Sequence, residues 1–349
     1  MFLAWNEIKR NKLKFSLIIG VLIMISYLLF LLSGLANGLI NMNKEGIDKW
    51  ESDAIILNKD ANQTVEQSIF DKNKLFDKYE EQTTLKQTGV IASNSKQEEN
   101  VLLFGVTADS FLVPNIIEGS NFKNNNEVVA DATLKDKGFH VGDQLTLSQS
   151  DEKLKIIGFS ESAKYNASPV LFSNNKTIEK INPTLTNDKT NAIVVKDSNW
   201  ANKNLDDELE VINIDKFVEN LPGYQAQNLT LNFMITFLFV ISATVIGIFL
   251  YVITLQKTNL FGVLKAQGFT NRYLAKVVLA QTFILSLIGT LIGLGLTQIT
   301  SIFLPNAVPV MFNFLTLIVF GIVLILISLI GSLFSILTIR KIDPLKAIG

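Results

Sequence analysis

The sequence holds few residues that could carry out covalent chemistry. It has no cysteine and a single histidine, His140, which lies in the turn-like string HVGD. One histidine cannot by itself form a zinc site or a Ser-His-Asp triad. No G-x-x-x-x-G-K-[ST] string occurs, so the chain has no phosphate-binding loop of its own. These observations predict a protein that is not an enzyme, binds no metal and holds no cofactor.

Four long runs without Asp, Glu, Lys or Arg dominate the chain. Each exceeds the roughly 20 apolar residues that a helix needs to cross a bilayer, and they cover residues 15–41, 228–255, 277–304 and 311–339. The first run is longer than the h-region of a cleaved signal peptide, which has about 7 to 15 residues. Ion-coupled carriers usually place ionisable groups inside the membrane. We therefore expect four membrane helices, and energy that comes from a partner that hydrolyses ATP.

The distribution of charge predicts the orientation of these helices. The three segments 1–14, 256–276 and 340–349 together hold 11 Lys and Arg but only two acids, Glu7 and Asp343. Basic residues near span ends favour the cytoplasmic side. Both termini are therefore predicted to be cytoplasmic, with residues 42–227 outside and a short outer loop at 305–310. A large outer domain without disulfides points to a bacterial cell membrane.

Between residues 42 and 227, short β-type runs alternate with polar, turn-rich segments. The predicted fold class is an α-helical membrane protein with four transmembrane helices and one extracytoplasmic α+β domain inserted between the first and second. Helical stalks are expected at both ends of this domain. The predicted strands are Asp53–Leu57, Gly89–Ala92, Val101–Val106, Glu127–Ala130, Gln144–Leu147, Leu154–Phe159, Pro169–Phe172 and Ala192–Val195. The predicted helices are Val65–Tyr79, Ala132–Lys137, Lys176–Ile181 and Asp215–Asn220.

Two short segments on the predicted inner side have amphipathic patterns. Residues 1–14 interleave apolar and basic side chains, which indicates an interfacial helix. In the connector 256–276, Leu260, Val263 and Leu264 have the spacing of one helix face, with Lys257 and Lys265 nearby and Gly268 as a helix stop. This pattern predicts a short helix that could contact a cytoplasmic partner, although a simple turn between spans remains the alternative.

Glycine spacing in the third span permits close packing between helices. Gly289 and Gly293 are four residues apart, the separation that lets two membrane helices approach closely. Glycine is also frequent in membrane helices for other reasons, so both interpretations stay open.

Several strings together resemble the FtsX/MacB-type (type VII) ABC transporter permeases over essentially the whole chain. They are WNEIKRNKLKFS, VADATLKDKGFHVGDQLTL, LKIIGFSES, SPVLFS, LFGVLKAQGFTNRYLAKVVLAQ, LSLIGTLIGLGL and IRKIDPLKAI. One departure concerns the start of the connector, where the family usually carries an acidic residue and this chain has Asn259, Leu260 and Phe261.

The resemblance implies a homodimer bound to a separate cytoplasmic ATPase, which would hold ATP and Mg. In this family, ATP-driven closure of the ATPases moves the outer domains through the membrane helices, a mechanism called mechanotransmission. The membrane-proximal tail would be residues 342–347. The residues expected to couple the chain to the ATPase are Lys257, Leu260, Phe261, Val263, Leu264, Lys265, Gly268 and Arg272.

Within the family, the compact size and single outer domain are similar to the haem-efflux permeases of Gram-positive bacteria. That similarity implies haem, or a similar amphipathic toxic compound, as substrate, and no nucleic-acid partner. Haem iron needs an axial donor, and the candidates near the outer ends of the first two spans are Met42, Glu45, Tyr224 and Met234. Two alternatives remain: control of an extracellular wall hydrolase, as an FtsX-like mechanotransmitter, and export of peptides or lipoproteins.

Overall fold

The computed structural model describes residues 2–75, 79–148, 150–203, 205–305 and 308–342. The chain divides into two compact units. The membrane unit comprises Met1–Gly38 and Leu229–Gly349, and the β unit comprises Leu39–Asn228. Most of the predicted tail, residues 343–349, and part of the short loop at 305–310 lie outside the described residues.

Among the described residues, four helices are long and apolar enough to cross a membrane, and they confirm the predicted fold class. The helices are, in chain order, α1 (Phe2–Arg10), α2 (Lys12–Asp48), α3 (Thr133–Asp136), α4 (Asn175–Ile181), α5 (Ile214–Glu219), α6 (Tyr224–Gln256), α7 (Thr258–Ala266), α8 (Asn271–Phe303) and α9 (Phe314–Lys341). The four long apolar helices are α2, α6, α8 and α9. The β unit lies in sequence between the first and second of these long helices, as predicted.

The described part of the β unit contains one large mixed sheet and one small antiparallel pair. Its strands are β1 (Ala54–Asn58), β2 (Phe70–Asp71), β3 (Glu81–Ser93), β4 (Glu98–Gly105), β5 (Ile116–Gly119), β6 (Glu127–Asp131), β7 (Gln144–Leu147), β8 (Ser150–Ser160), β9 (Val170–Ser173), β10 (Lys189–Thr190), β11 (Ala192–Lys196) and β12 (Leu209–Asn213). The sheet order is β12-β1-β11-β3-β4-β9-β6-β8-β5, with β7 pairing to both β3 and β8, while β2 pairs with β10.

An aromatic core holds the β unit together without any disulfide. Phe104 packs edge-on against Tyr165 at 5.5 Å and against Phe172 at 5.9 Å, and Trp50 stacks on Tyr165 at 6.3 Å between ring centroids. Burying one large apolar side chain contributes about 1.5–3 kcal/mol. Burial also raises the pKa of the Tyr165 hydroxyl above its ordinary range, so this group stays neutral in the core.

In the membrane unit, the glycine spacing on α8 does correspond to close packing, here against α2. A Cβ placed on Gly289 would lie 2.5 Å from the Leu22 Cβ, and one on Gly293 would lie 2.9 Å from the Ser26 Cβ. The Ser26 hydroxyl donates a hydrogen bond to the Gly289 carbonyl at 3.1 Å. Only residues without a side chain allow the two helices to meet at this distance.

Some local predictions for the β unit were wrong. Where a helix was expected at Val65–Tyr79, the described residues form two 3₁₀ turns and strand β2. Strands β5 and β12 had not been predicted, and β3 begins at Glu81 rather than Gly89. At the end of the unit, α5 and α6 are separate helices, with Gly223 between them at a φ of 80°.

Candidate functional site

The connector between α6 and α8 contains the predicted short helix, α7. Its end follows a glycine-terminated pattern in which Gly268, at a φ of 95°, donates its N–H to the Lys265 carbonyl at 2.9 Å. Phe269 N–H donates to the Leu264 carbonyl at 3.1 Å. The Thr270 side chain then accepts from Tyr273 N–H and starts α8. The helix and its glycine stop therefore follow directly from the local sequence.

The apolar residues of α7 divide between a buried face and an exposed face. Phe261 is only 1% exposed and packs in a cluster with Leu274 and Ile339, with Leu264 partly buried beside them. Phe261 can therefore influence a partner only by holding α7 in place. Leu260 is 46% exposed and Val263 is 39% exposed. These two side chains are open to contact from outside the chain.

The three basic residues expected to contact the ATPase have different environments. The Lys257 ammonium pairs with the Glu7 carboxylate at 2.7 Å, so it is already engaged within the chain. Lys265 donates to the Ile342 carbonyl at 3.0 Å, which links α7 to the end of α9. Arg272 is exposed, and within the described residues its side chain makes no hydrogen bond or ion pair. Of these three, Arg272 has the side chain best placed for an external partner.

Two aromatic residues extend the exposed surface of α7 but were not selected from the sequence. The rings of Phe269 and Tyr273 lie 5.1 Å apart, and these residues are 38% and 42% exposed. Aromatic residues within a polar, basic connector were the signal available in the sequence, because aromatic residues are enriched at interfaces. We call Leu260, Val263, Phe269, Arg272 and Tyr273 the connector surface.

Three of the four proposed haem donors lie in the β unit. Met42 is half-buried and its carbonyl accepts from Ala167 N–H at 3.1 Å. The Glu45 carboxylate accepts from the Ser162 hydroxyl at 2.8 Å. Tyr224 is 9% exposed within the hydrophobic core of this unit. No hydrogen bond or ring contact joins these three side chains to one another in the described part of the chain.

The fourth proposed donor, Met234, belongs to the membrane unit and is 47% exposed. The lone histidine, His140, is exposed in the turn that precedes β7, where its backbone N–H donates to the Asp143 carboxylate at 3.0 Å. Within the described ranges, no group of three His, Cys, Asp or Glu side chains could hold a metal ion.

An apolar groove of about 490 Å³ runs along α2 in the membrane unit. Its volume lies in the roughly 300–1,000 Å³ range of small-molecule sites. Met24, 60% exposed, and Gly20, which has no atom near its Cβ position, leave the groove open to the side. The residues lining it are Ser16, Leu17, Gly20, Val21, Met24, Ile25 and Leu28 of α2 and Val245 of α6.

Comparison with known proteins places these features in context. Residues 232–344 match the family model described as "FtsX-like permease C-terminal". A Staphylococcus haemolyticus protein named "Putative hemin transport system permease protein HrtB" is 27% identical over 356 residues, which covers 100% of this chain and 99% of that protein. An "Uncharacterized ABC transporter permease" from Mycobacterium tuberculosis is 23% identical and covers 76% of this chain and 73% of that protein.

Among solved structures, the periplasmic region of MacB from Actinobacillus actinomycetemcomitans aligns with a TM-score of 0.39 at 16% identity. The alignment covers 52% of this chain and 97% of the MacB region.

Proposed function

We propose, from the match of residues 232–344 to the family model described as "FtsX-like permease C-terminal", that the chain is the membrane subunit of an ABC efflux transporter. A separate cytoplasmic ATPase would bind ATP and Mg and supply the energy, while this chain would carry out no catalysis. The observation that supports this division of labour is the absence of Asp, Glu, Lys, Arg and His from residues 15–43, 224–256, 277–303 and 314–339 of the four long helices. A carrier that used an ion gradient would usually need such groups in the membrane.

The connector surface is the proposed docking site for the ATPase. It combines an aromatic pair, Phe269 and Tyr273, with Arg272, and aromatic residues and Arg are enriched among the residues that dominate binding energy at protein interfaces. The exposed Leu260 and Val263 would add apolar contact around that centre. Phe261, Leu264, Lys265 and Gly268 would hold α7 in the position that the ATPase meets.

Motion would pass from the connector to the β unit along the long helices. Helix α2 runs without interruption from Lys12 to Asp48 and contributes residues to both units. Helices that have two discrete arrangements can carry energetic coupling between distant parts of a protein. In the proposed homodimer, ATP-driven closure would change the separation of the two copies and thereby expel a substrate by mechanotransmission.

The proposed substrate is haem or a similar amphipathic compound, which this chain would bind as cargo and not as a cofactor. The full-length similarity to a permease named for hemin transport favours this substrate. The open groove on α2 offers an apolar lateral surface of suitable size for a molecule dissolved in the bilayer. Met42, Glu45, Tyr224 and Met234 remain the candidate iron donors.

The test is the haem content of cells after haemin loading, compared between a deletion strain and the same strain carrying the parent gene. The proposal predicts haem retention and hypersensitivity to haemin in the deletion strain, with rescue by the parent gene. An Arg272→Glu variant should fail to rescue, whereas Lys12→Gln, which removes an exposed charge at the start of α2, should rescue fully. Equal haem contents in both strains would contradict the haem proposal and favour control of a wall hydrolase or export of peptides or lipoproteins.

A further inference from the structure

A charged cluster joins three elements on the predicted inner side of the membrane unit. The Lys257 ammonium lies 2.7 Å from the Glu7 carboxylate and 4.9 Å from the centre of the Phe15 ring. The Gln281 side-chain amide donates to the same oxygen of Glu7. Glu7 comes from α1, Lys257 precedes α7, and Gln281 lies on α8. We call Glu7, Lys257 and Gln281 the inner clamp.

The inner clamp differs from an ordinary surface ion pair in its burial. The side chains of Glu7 and Lys257 are 12% and 13% exposed, and Gln281 is 5% exposed as a residue. By contrast, the pair between Lys135 and Glu118 in the β unit has side chains that are 41% and 46% exposed. Separating a shielded pair leaves each charge without either water or a partner. The inner clamp therefore resists partial opening.

Its position in the chain gives the inner clamp a mechanical role. Lys257 occupies the junction between the end of α6 at Gln256 and the start of α7 at Thr258. The Lys14 ammonium donates to the Gln256 side-chain oxygen at 2.9 Å, which adds a second connection at the same junction. Ile8, next to Glu7, packs against the apolar cluster formed by α2, α6 and α8. The junction is thus joined to α1 through Glu7 and to α2 through Lys14, and Gln281 of α8 bonds the same Glu7 carboxylate.

The geometry points to the inner clamp as the element that makes α1, the α6–α7 junction and α8 move as one body when the ATPase displaces α7. Glu7, Lys257 and Gln281 are then positioning residues for energy coupling, and Lys257 is not an ATPase contact. Without the clamp, displacement of α7 would be absorbed by rotation at the junction. The claim that the inner clamp couples ATP hydrolysis to transport rests on the proposed function. The claim that it fixes the distance between α1 and α7 does not.

The first experiment measures the clamp directly and requires no substrate. Because the chain contains no cysteine, Arg10→Cys and Asn259→Cys provide two unique spin-label sites on exposed positions of α1 and α7. Pulsed electron paramagnetic resonance on the full chain, with labelled copies diluted in an excess of unlabelled, cysteine-free copies, should give one narrow distance distribution within the chain. Adding Glu7→Gln should broaden it or create a second population, while adding Lys12→Gln should leave it unchanged. The same distribution in the Glu7→Gln variant and the parent would overturn the inference.

The second experiment separates positioning from folding by a charge exchange. Glu7→Lys combined with Lys257→Glu restores an ion pair of opposite direction, and Gln281 can then accept a hydrogen bond from the new lysine through its amide oxygen. Each single exchange places like charges together and should disrupt the clamp. The double variant should recover the narrow distance distribution of the parent.

The readout of coupling is the amount of haemin exported per ATP hydrolysed by the reconstituted permease and ATPase complex. Each single exchange should reduce that ratio by about fivefold or more, the lower end of the range for energetic coupling between sites, while complex formation and ATP hydrolysis persist. The double variant should restore it. Loss of complex formation in all three variants would indicate a structural role and overturn the inference. Failure of the parent to export haemin would contradict the proposed function, and the distance arm would still test the clamp.

Discussion

Substitution of Gly289 by alanine tests the packing of α2 against α8. The added Cβ would lie 2.5 Å from the Leu22 Cβ, whereas ordinary contacts between such atoms are 3.4–4 Å. The helices must therefore separate by about 1 Å, or the Leu22 side chain must leave its position. Gly295, on the same helix, has no atom within 4 Å of its Cβ position. Gly295→Ala is therefore a matched control.

The expected loss of stability has two parts. Overpacking a well-packed contact costs about 1–3 kcal/mol. Separation of the helices also weakens the 3.1 Å hydrogen bond from the Ser26 hydroxyl to the Gly289 carbonyl, and such interhelical bonds contribute about 0.6 kcal/mol in membranes. Gly289→Ala should thus lower the free energy of unfolding by about 2–4 kcal/mol relative to Gly295→Ala. The comparison cancels the higher helix propensity of alanine.

The assay is reversible unfolding in mixed micelles, in which increasing SDS unfolds the membrane unit and far-ultraviolet circular dichroism reports helix loss. Both variants should retain parent helix content before unfolding. If Gly289→Ala and Gly295→Ala unfold at the same SDS fraction, the close approach of α2 and α8 is not present in the protein, and the account of this unit is refuted.

Four further substitutions have distinct expected outcomes. Lys86 is 1% exposed and forms an ion pair with Glu179. Because Lys86→Met leaves the Glu179 carboxylate without this partner, it should lower the free energy of unfolding by about 3 kcal/mol in denaturant titrations. An unchanged free energy of unfolding would show that this ion pair does not stabilise the fold. Phe261→Ala should lower the free energy of unfolding of the membrane unit by about 3–5 kcal/mol. Leu260→Ala should unfold like the parent and weaken only the binding of the ATPase in pull-downs. The reverse pattern would exclude the proposed roles of the buried and exposed faces of α7. The hydrogen bonds from Lys203 and from backbone N–H groups lower the pKa of the Asp197 carboxyl. The charged carboxylate therefore stabilises the folded state above about pH 4, and this contribution disappears as the pH falls through the lowered pKa. Asp197→Asn should therefore lower the free energy of unfolding at neutral pH and reduce its dependence on pH in the acidic range. If the free energy of unfolding of the variant and of the parent changes with pH in the same way, Asp197 does not make this contribution.

The architecture of the membrane unit was predictable because its signals are local. Long uncharged runs have one stable solution in a bilayer, the helix, and the stop at Gly268 follows from the preference of glycine for a positive φ. The exposed and buried faces of α7 could be predicted from the sequence only in part. Phe261 is buried because Leu274 and Ile339, from two other helices, pack against it. No property of the connector itself specifies that contact.

The errors in the β unit have a similar origin. Val65 and Ile69 have helical spacing, but Phe70 pairs with Thr190 across the small sheet, so tertiary pairing replaces local preference. The polar residues Glu81–Thr84 gave no strand signal, yet they pair with β11 in the large sheet. The inner clamp was equally invisible, since Glu7 and Lys257 are separated by 250 positions.

The most direct test of the proposed function is haemin export by proteoliposomes that contain this chain and its ATPase. The vesicles are loaded with haemin in the bilayer, and apomyoglobin on the side of the β unit captures the exported molecules. We predict that capture requires both ATP and the permease and falls to the background rate with Arg272→Glu. Capture at equal rates with and without ATP, by complexes that still hydrolyse it, would contradict the proposal that this chain couples ATP hydrolysis to haem efflux.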